Sequence, residues 1–233
     1  MTATLAGLLL AMGLPSLFAF LKRGKGAIEQ WPHLIKAWGS CLALLALVLL
    51  WERRPLASIG IAWGNYLAWL IGAALGLTIL ATSVISILQA SKGGKPALPE
   101  DSAEGLNRLA GTPAWFRWAV VITAGVTEEI MFRGYPVERL HALTGNLWIA
   151  ALVPLTVFTL AHLGGWSWGH LIGVLFGGSL LTGLYLWQRD LIACMIAHVL
   201  IDSLLIFLPA LLRKLAARDA RCAREQSSAV KPS

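Results

Sequence analysis

Apolar residues along this chain fall into long runs separated by short polar segments. Seven principal runs occupy residues 4–20, 35–51, 61–90, 115–133, 147–163, 170–188 and 191–212. An α-helix needs about 20 apolar residues to cross the hydrocarbon core of a bilayer, and most of the runs approach that length. The pattern therefore predicts an all-α, polytopic transmembrane bundle of about seven to eight helices. Two GxxxG patterns, Gly72 to Gly76 and Gly173 to Gly177, predict close helix–helix packing.

The composition supports a membrane protein. Of the 233 residues, 57% are hydrophobic and only 13% are charged, and the mean hydropathy is +0.70. Soluble domains carry about 25% charged residues, so this chain lies outside that class. Its three cysteines (Cys41, Cys194 and Cys222) include no CxxC pair, which indicates neither a disulfide framework nor a thiolate zinc site.

Most of the basic residues lie between the apolar runs and in the tail after Leu212. A net charge of +7 is compatible with a nucleic-acid partner, but this placement is typical of membrane topology signals and argues for no nucleic acid. Alternation of the runs puts Lys22, the basic residues of segment 91–113 and the tail on one face. The opposite face has the sparser set Arg53, Arg54, Arg139 and Arg189. We therefore predict a cytoplasmic C-terminus, with the basic tail against anionic lipid.

Six ionisable residues of the apolar runs are candidates for an intramembrane polar site. They are Glu128, Glu129 and Arg133 in the fourth run, His162 in the fifth, and His198 and Asp202 in the seventh. A charge near the bilayer centre costs about 2.5–3.5 kcal/mol on insertion scales, so such groups need partners or a wet cavity. The sequence therefore predicts an intramembrane polar cavity. The other histidines (His33, His141 and His170) fall at the edges of runs or in loops.

Helical spacing sorts these residues into roles. Glu129 and Arg133 are four apart, which favours an ion pair on one helix face. Glu128 lies about 100° around the helix from Glu129 and cannot share that face. His198 and Asp202 are also four apart, so the carboxylate can hold one imidazole nitrogen.

Three helices thus bring one unpaired carboxylate and two imidazoles inward, enough to surround a single water molecule. A glutamate that takes a proton from water, while other groups hold the water and the developing oxyanion, is a general-base hydrolytic site. We interpret Glu128 as that base, with Glu129 and Arg133 bracing the helix. A purely structural polar cluster, which would suit a non-catalytic immunity or scaffold protein, is the main alternative.

Other functional classes fit the sequence less well. A proton- or ion-coupled transporter could use Glu128, His162 and His198 as a relay, but transporters commonly show internal repeats, and we find none. The motif GxGD of intramembrane aspartyl proteases and the motif GxSG of serine proteases are both absent.

The order of the polar motifs resembles a known family. EExxxR occurs as Glu128 to Arg133, FxxxH as Phe158 to His162, and HxxxN or HxxxD as His198 to Asp202. Over residues 115 to 208 the chain resembles the CPBP intramembrane metalloproteases, the group of CAAX prenyl proteases and Abi proteins that includes Rce1-like enzymes. The resemblance implies an intramembrane endopeptidase acting on membrane-associated or lipidated peptides, through a conical cavity open to the cytosol and to lipid.

The resemblance also implies a role for each motif residue. Glu128 would activate water, His162 would orient it, and His198 with residue 202 would stabilise the oxyanion. Glu129 and Arg133 would support them. Asp202 stands where the prenyl-protease branch tends to have Asn, and a carboxylate donates no hydrogen bond unless it is protonated. Asp202 is therefore a candidate to orient His198 or to bind a metal instead.

A zinc site remains open at this point. Glu128, His162, His198 and Asp202 are plausible zinc ligands, yet the HExxH motif, which puts two ligands and a base on one helix, is absent. We favour a metal-free, glutamate-activated water. The prediction that follows is that chelators act weakly.

The chain divides by these features within a single membrane domain at 1–233. N-terminal helices occupy 1–90, a cytoplasmic linker 91–113, a catalytic helix core 114–212 and a basic cytoplasmic tail 213–233. Within the linker, Asp101 and Glu104 predict a capped short helix. Residues 134–146 are a candidate interfacial segment. If the fourth and fifth runs crossed the bilayer as drawn, Glu128 and His162 would lie at different depths, so one of those boundaries must be wrong.

Overall fold

The computed structural model describes residues 1–21, 30–92, 109, 111–164 and 168–229. No strand occurs among these residues, and the fold is a helical bundle, as predicted. The linker helix predicted at Asp101 and Glu104 lies outside the described residues, as does Lys22.

The α-helices follow one another along the chain with few interruptions. They are α1 (Thr2–Leu8), α2 (Leu14–Leu21), α3 (Gln30–Ala46), α4 (Tyr66–Lys92), α5 (Ala114–Glu129), α6 (Tyr135–Thr144), α7 (Leu147–Ala161), α8 (Trp168–Gln188), α9 (Leu191–Asp202) and α10 (Leu204–Ala229). π-helical turns occupy Leu9–Gly13, Leu47–Trp51 and Ile130–Gly134, and 3-10 turns occupy Leu56–Ile59 and His162–Gly164.

Four helical segments of the described chain are long and apolar enough to cross a membrane: Gln30–Trp51, Tyr66–Lys92, His170–Gln188 and Leu191–Leu215. Shorter apolar helices lie at Thr2–Phe18 and Leu147–Ala161. All seven predicted apolar runs are therefore helical over most of their length. The seventh is divided at Ser203, between α9 and α10.

Helices α5 and α6 are joined end to end by the π-helical turn Ile130–Gly134. Residues 114–144 therefore form one long rod, and the candidate interfacial segment 134–146 is mostly its continuation, with Tyr135, Val137 and Arg139 buried. The rod ends at Gly145, whose φ of +65° is a left-handed conformation suited to glycine. Asn146 then caps α7 by accepting hydrogen bonds from the backbone N–H groups of Trp148 and Ile149.

The turn at 145–146 removes the difficulty over depth. At 1.5 Å per residue, Glu128 lies about 24 Å from the end of α6 and His162 about 22 Å from the start of α7. Both distances start at the same turn, so the two side chains reach the same depth. The predicted end of the fourth run at residue 133 was wrong, because the helix continues through polar residues that find partners inside the protein.

The partners of those polar residues form a buried cluster, which we call the Glu52 network (Glu52, Ser58, Tyr135 and Arg139). Arg139 donates to Glu52 Oε2 at 2.9 Å and to the Ser58 carbonyl at 3.1 Å. The Tyr135 hydroxyl donates to Glu52 Oε1 at 2.8 Å. Burial alone would raise the pKa of Glu52, but the hydrogen bonds from Arg139 and Tyr135 and the Arg139 charge outweigh it, so this pKa is lowered from 4.5. The network fixes the far end of the rod.

The two GxxxG patterns behave differently. A Cβ on Gly72 would collide with the carbonyl of Ala193, and one on Gly76 would lie 2.8 Å from the carbonyl oxygen of Ala197, so α4 packs with its backbone directly against α9. The close packing predicted for Gly173 and Gly177 was wrong within the described chain, where no atom lies within 4 Å of a Cβ built at either position.

Candidate active site

The floor of the candidate site is a buried ion pair on the long rod. Glu129, the last residue of α5, is fully buried, and its Oε1 accepts a hydrogen bond from Arg133 in the π-helical turn. The Arg133 guanidinium also lies 4.7 Å from the centre of the Phe158 ring on α7, a cation–π contact that ties the pair to the next helix. The ion pair predicted from i, i+4 spacing is present.

His198 on α9 connects this floor to the more exposed residues of the site. Its Nδ1 lies 2.6 Å from Glu129 Oε1. A carboxylate paired with Arg133 only accepts, so Nδ1 carries the proton and donates. The other nitrogen, Nε2, lies 3.5 Å from Asp202 Oδ2 and 3.9 Å from Glu128 Oε2. His198 therefore presents Nε2 to two carboxylates.

Glu128 points away from the ion pair, as its helical position predicts. Its side chain is 30% exposed, and 3.9 Å from the nearest imidazole nitrogen is longer than a hydrogen bond. It interacts electrostatically with His162, His198, Asp202 and Arg133. Glu128 is thus a partly exposed carboxylate near two imidazoles, a guanidinium and a second carboxylate.

His162 stands where α7 changes into a 3-10 turn. Its Nδ1 lies 2.8 Å from the carbonyl oxygen of Phe158, and the two rings meet edge to face with centroids 4.7 Å apart. A carbonyl only accepts, so Nδ1 carries the proton and Nε2 of the neutral ring is left with a lone pair. The Phe158 spacing noted in the sequence therefore fixes both the tautomer and the orientation of His162.

The side chains form two layers. The buried layer is Glu129, Arg133 and His198, and the exposed layer is Glu128, His162 and Asp202. The structure thus brings all six residues singled out in the sequence into one cluster. The arrangement can hold a water molecule beside Glu128 while the buried layer keeps His198 in place.

Two features of the cluster were missed in the sequence. The spacing predicts only Arg133 as the partner of Glu129 and Asp202 as the partner of His198, whereas in the structure Glu129 is also the closest partner of His198. His170, which the sequence places at the edge of the sixth run, lies near the start of α8 and is partly buried. It stands four residues before Val174, which packs on the core, so the two residues share one face of α8, and no pattern in the sequence indicates that this face points inward.

A metal centre receives no geometric support from the described residues. Among them, no group of three or more His, Cys, Asp or Glu side chains is arranged to hold a metal ion. His198 contributes to this misfit, because Nδ1 is already held by Glu129 and Nε2 faces Asp202 at 3.5 Å.

Comparison with known proteins places this geometry in a family. Residues 110–204 match the family model described as type II CAAX prenyl endopeptidase Rce1-like. The match covers less than half of the chain. The match confirms the resemblance seen in the sequence, and the matched segment contains all six residues of the cluster. Neither a curated protein nor a solved structure matches the chain. The family is a protease family, and with four candidate spans the protein is an integral membrane protein.

Proposed function

We propose that the protein is an intramembrane endopeptidase that cleaves membrane-associated or lipidated peptides with a glutamate-activated water. The observation that carries the proposal is the contrast between two adjacent glutamates. Glu129 is buried and bonded to both Arg133 and His198, whereas Glu128 is partly exposed and has no hydrogen-bond partner among the described residues. A purely structural role needs the first arrangement but gives no reason for the second.

Glu128 acts as the general base in this proposal. It removes a proton from water as the water oxygen bonds to the scissile carbonyl carbon, and the carbonyl π electrons move to oxygen to form an oxyanion. When the intermediate collapses, the C–N bond breaks and the proton held by Glu128 passes to the leaving amine. The products are a new C-terminal carboxylate and a new N-terminus, so atoms and charge balance.

His162 orients the water by accepting a hydrogen bond. Because Nδ1–H is committed to the Phe158 carbonyl, Nε2 is the nitrogen free to accept from the water. Two acceptors, Glu128 and His162, then fix both O–H directions and leave a lone pair of the water for attack.

His198 supplies the oxyanion donor. Its Nδ1–H donates a hydrogen bond to Glu129, so Nε2 carries a proton and can donate only when the ring is an imidazolium. The carboxylates of Glu128 and Asp202, 3.9 and 3.5 Å from Nε2, favour that charged form. Donation from an imidazolium to a developing oxyanion is stronger than from a neutral group. In this proposal Asp202 acts through His198, so Asp202 does not itself need to donate a hydrogen bond to the oxyanion.

The topology proposal rests on the count of Lys and Arg, which are sparser on the face of Arg53, Arg54, Arg139 and Arg189 than on the face of the linker and the tail. We propose that the linker and the C-terminus lie in the cytoplasm and that the site opens to that side.

The test compares peptide C-termini in membranes of cells expressing the wild-type chain, Glu128→Gln or Glu138→Gln at matched levels. Glu138 is the control because it lies on the same rod, is 26% exposed, and pairs with Arg189 outside the site. We expect new C-termini in wild type and the control that vanish in Glu128→Gln. Identical profiles in all three, with Glu128→Gln restoring a null phenotype, would favour a non-catalytic scaffold.

A further inference from the structure

Exposed tryptophans gather at the ends of the helices. The structure describes the side chains of nine tryptophans, of which Trp38 and Trp69 are half-buried. The other seven are exposed and lie within four residues of the end of a helical segment; they are Trp31, Trp51, Trp63, Trp115, Trp118, Trp148 and Trp187. Tryptophan is enriched where a membrane meets water, because its ring is apolar and its N–H is polar. This placement indicates where the helices leave the lipid.

One group of exposed aromatic side chains lies where α3 and α5 begin. We call it the linker-side rim (Trp31, Trp115, Trp118 and Phe207). The Trp31 and Trp115 rings meet with centroids 5.7 Å apart, and the Trp118 and Phe207 rings with centroids 6.2 Å apart. These contacts place residues of α3, α5 and α10 at one end of the bundle.

A second group lies at the other end of the bundle. We call it the turn-side rim (Trp51, Trp63, Tyr66, Trp148 and Trp187). The Glu52 network holds the end of the α3 segment against α6, and the ion pair of Glu138 with Arg189 holds the end of α8 there. The N–H of Leu191 donates to the Gly60 carbonyl at 2.8 Å, which brings in the segment that leads to α4. The five side chains therefore share one end of the protein.

The distance between the rims matches a bilayer. Trp31 and Trp51 lie 20 positions apart on one helical segment, which is about 30 Å at 1.5 Å per residue. The hydrocarbon core of a typical bilayer is also about 30 Å thick. Exposed aliphatic side chains lie between the rims, among them Leu42 on α3, Leu77 on α4 and Leu152 on α7. Lipid chains fit this band, and lipid headgroups fit the two rims.

The rims also give the depth of the candidate site. Glu128 lies 13 residues after Trp115 of the linker-side rim, or about 20 Å along the rod. It lies 11 residues before Arg139, whose network adjoins the turn-side rim, or about 16 Å. The two distances are similar, so Glu128 stands about midway between the rims.

We propose that the two rims are the surfaces where this protein meets the two headgroup regions of the bilayer, and that Glu128 therefore lies near the middle of the membrane. The partner of the rims is the lipid–water interface on each side. This holds whether or not Glu128 activates water, because it concerns the depth of the residue and not its reaction.

The test is the depth of nitroxide labels on single cysteines of the full chain. The protein is reconstituted in vesicles of phosphatidylcholine and phosphatidylglycerol, and each label is compared for its accessibility to oxygen and to a water-soluble nickel chelate. Cys222 is first replaced by Ser. Cys41 and Cys194 are fully buried and remain in place, and the protein without a new cysteine shows the background.

Labels on α3 measure the rims. Trp31→Cys and Trp51→Cys should give shallow labels on opposite sides, about 30 Å apart in depth, and Leu42→Cys should give a label within about 5 Å of the bilayer centre. A label at position 42 that the nickel chelate reaches, or a deep label at position 31 or 51, would overturn the assignment of the rims. If Trp51→Cys accumulates poorly, Leu50→Cys replaces it, since Leu50 is 76% exposed.

Labels on α7 measure the site. Leu160 is exposed two residues before His162, so Leu160→Cys reports the level of the cluster from the outside of the helix. We expect this label within about 5 Å of the bilayer centre, whereas Trp148→Cys, the matched control on the same helix, should be shallow. Equal shallow depths at positions 148 and 160 would place the cluster at the interface and refute the proposal. A protein without Glu128-dependent cleavage would refute the hydrolytic function and leave these depths unchanged.

Discussion

Substituting the two adjacent glutamates, one at a time, should separate stability from activity. Glu128→Gln and Glu129→Gln are equal in size and remove one negative charge each. Glu128 has no close partner and is partly exposed, so its loss leaves no buried group unpaired. Glu129 is buried and serves both Arg133 and His198, so its loss leaves a buried guanidinium without its counter-charge.

The structure gives the size of the difference. Removing one partner of a buried ion pair costs about 3–5 kcal/mol. For a chain of 150–250 residues each kcal/mol shifts Tm by roughly 2–4 °C, so Glu129→Gln should lower Tm by about 6 °C or more. Substitutions away from packed or paired groups usually lie within about 0.5 kcal/mol, so Glu128→Gln should shift Tm by about 2 °C at most.

The assay is thermal unfolding in detergent, followed by peptide hydrolysis at a temperature where all variants are folded. We expect Glu128→Gln to keep its Tm and lose at least about 100-fold in kcat, the lower range for a missing general base. Glu129→Gln should lose both stability and activity. Similar Tm values for the two variants, or an active Glu128→Gln, would refute the assignment of structural and catalytic roles.

Three further predictions concern packing, pH and metal. Gly72→Ala should destabilise the protein by about 1–3 kcal/mol, because the new methyl collides with the backbone of Ala193. A methyl at Gly173 has no neighbouring atom within 4 Å in the described chain, so Gly173→Ala should leave Tm unchanged or raise it slightly. The pKa of Glu52 is lower in the folded state than in the unfolded state. The ionised carboxylate therefore contributes its full stability at pH values above the unfolded-state pKa, and this contribution is lost as the pH falls through the folded-state pKa. Tm measured from pH 6 to 3 should fall more steeply in wild type than in Glu52→Gln. Dialysis against a chelator should leave peptide hydrolysis intact, and rapid inactivation reversed by zinc would contradict the metal-free mechanism.

Local spacing was sufficient to predict part of the site. The Glu129–Arg133 pair and the packing of Phe158 on His162 both join residues four apart on one helix, so the helical repeat alone brings them together. His198 and Glu129 are 69 positions apart in the sequence and lie on different helices. The periodicity within one helix does not show which face of another helix it will contact. That contact needed the tertiary structure.

Helix boundaries were harder to predict for a related reason. The fourth apolar run appeared to end at Arg133 because polar residues follow it, yet Tyr135 and Arg139 continue the helix inside the protein. Their polar groups are satisfied by Glu52 and Ser58 from a distant part of the chain. Hydropathy measures each residue without its partners and so places the boundary too early.

The α6–α7 turn has a consequence for how this sequence can change in evolution. Glu128 and His162 are set by two helical arms measured from the same turn, and an inserted residue in either arm would move one side chain by about 1.5 Å and rotate it by about 100°. Residues added within the turn itself, at 145–146, lengthen neither arm. We therefore expect insertions and deletions among related sequences to occur at the turn and to be rare in the two helical arms.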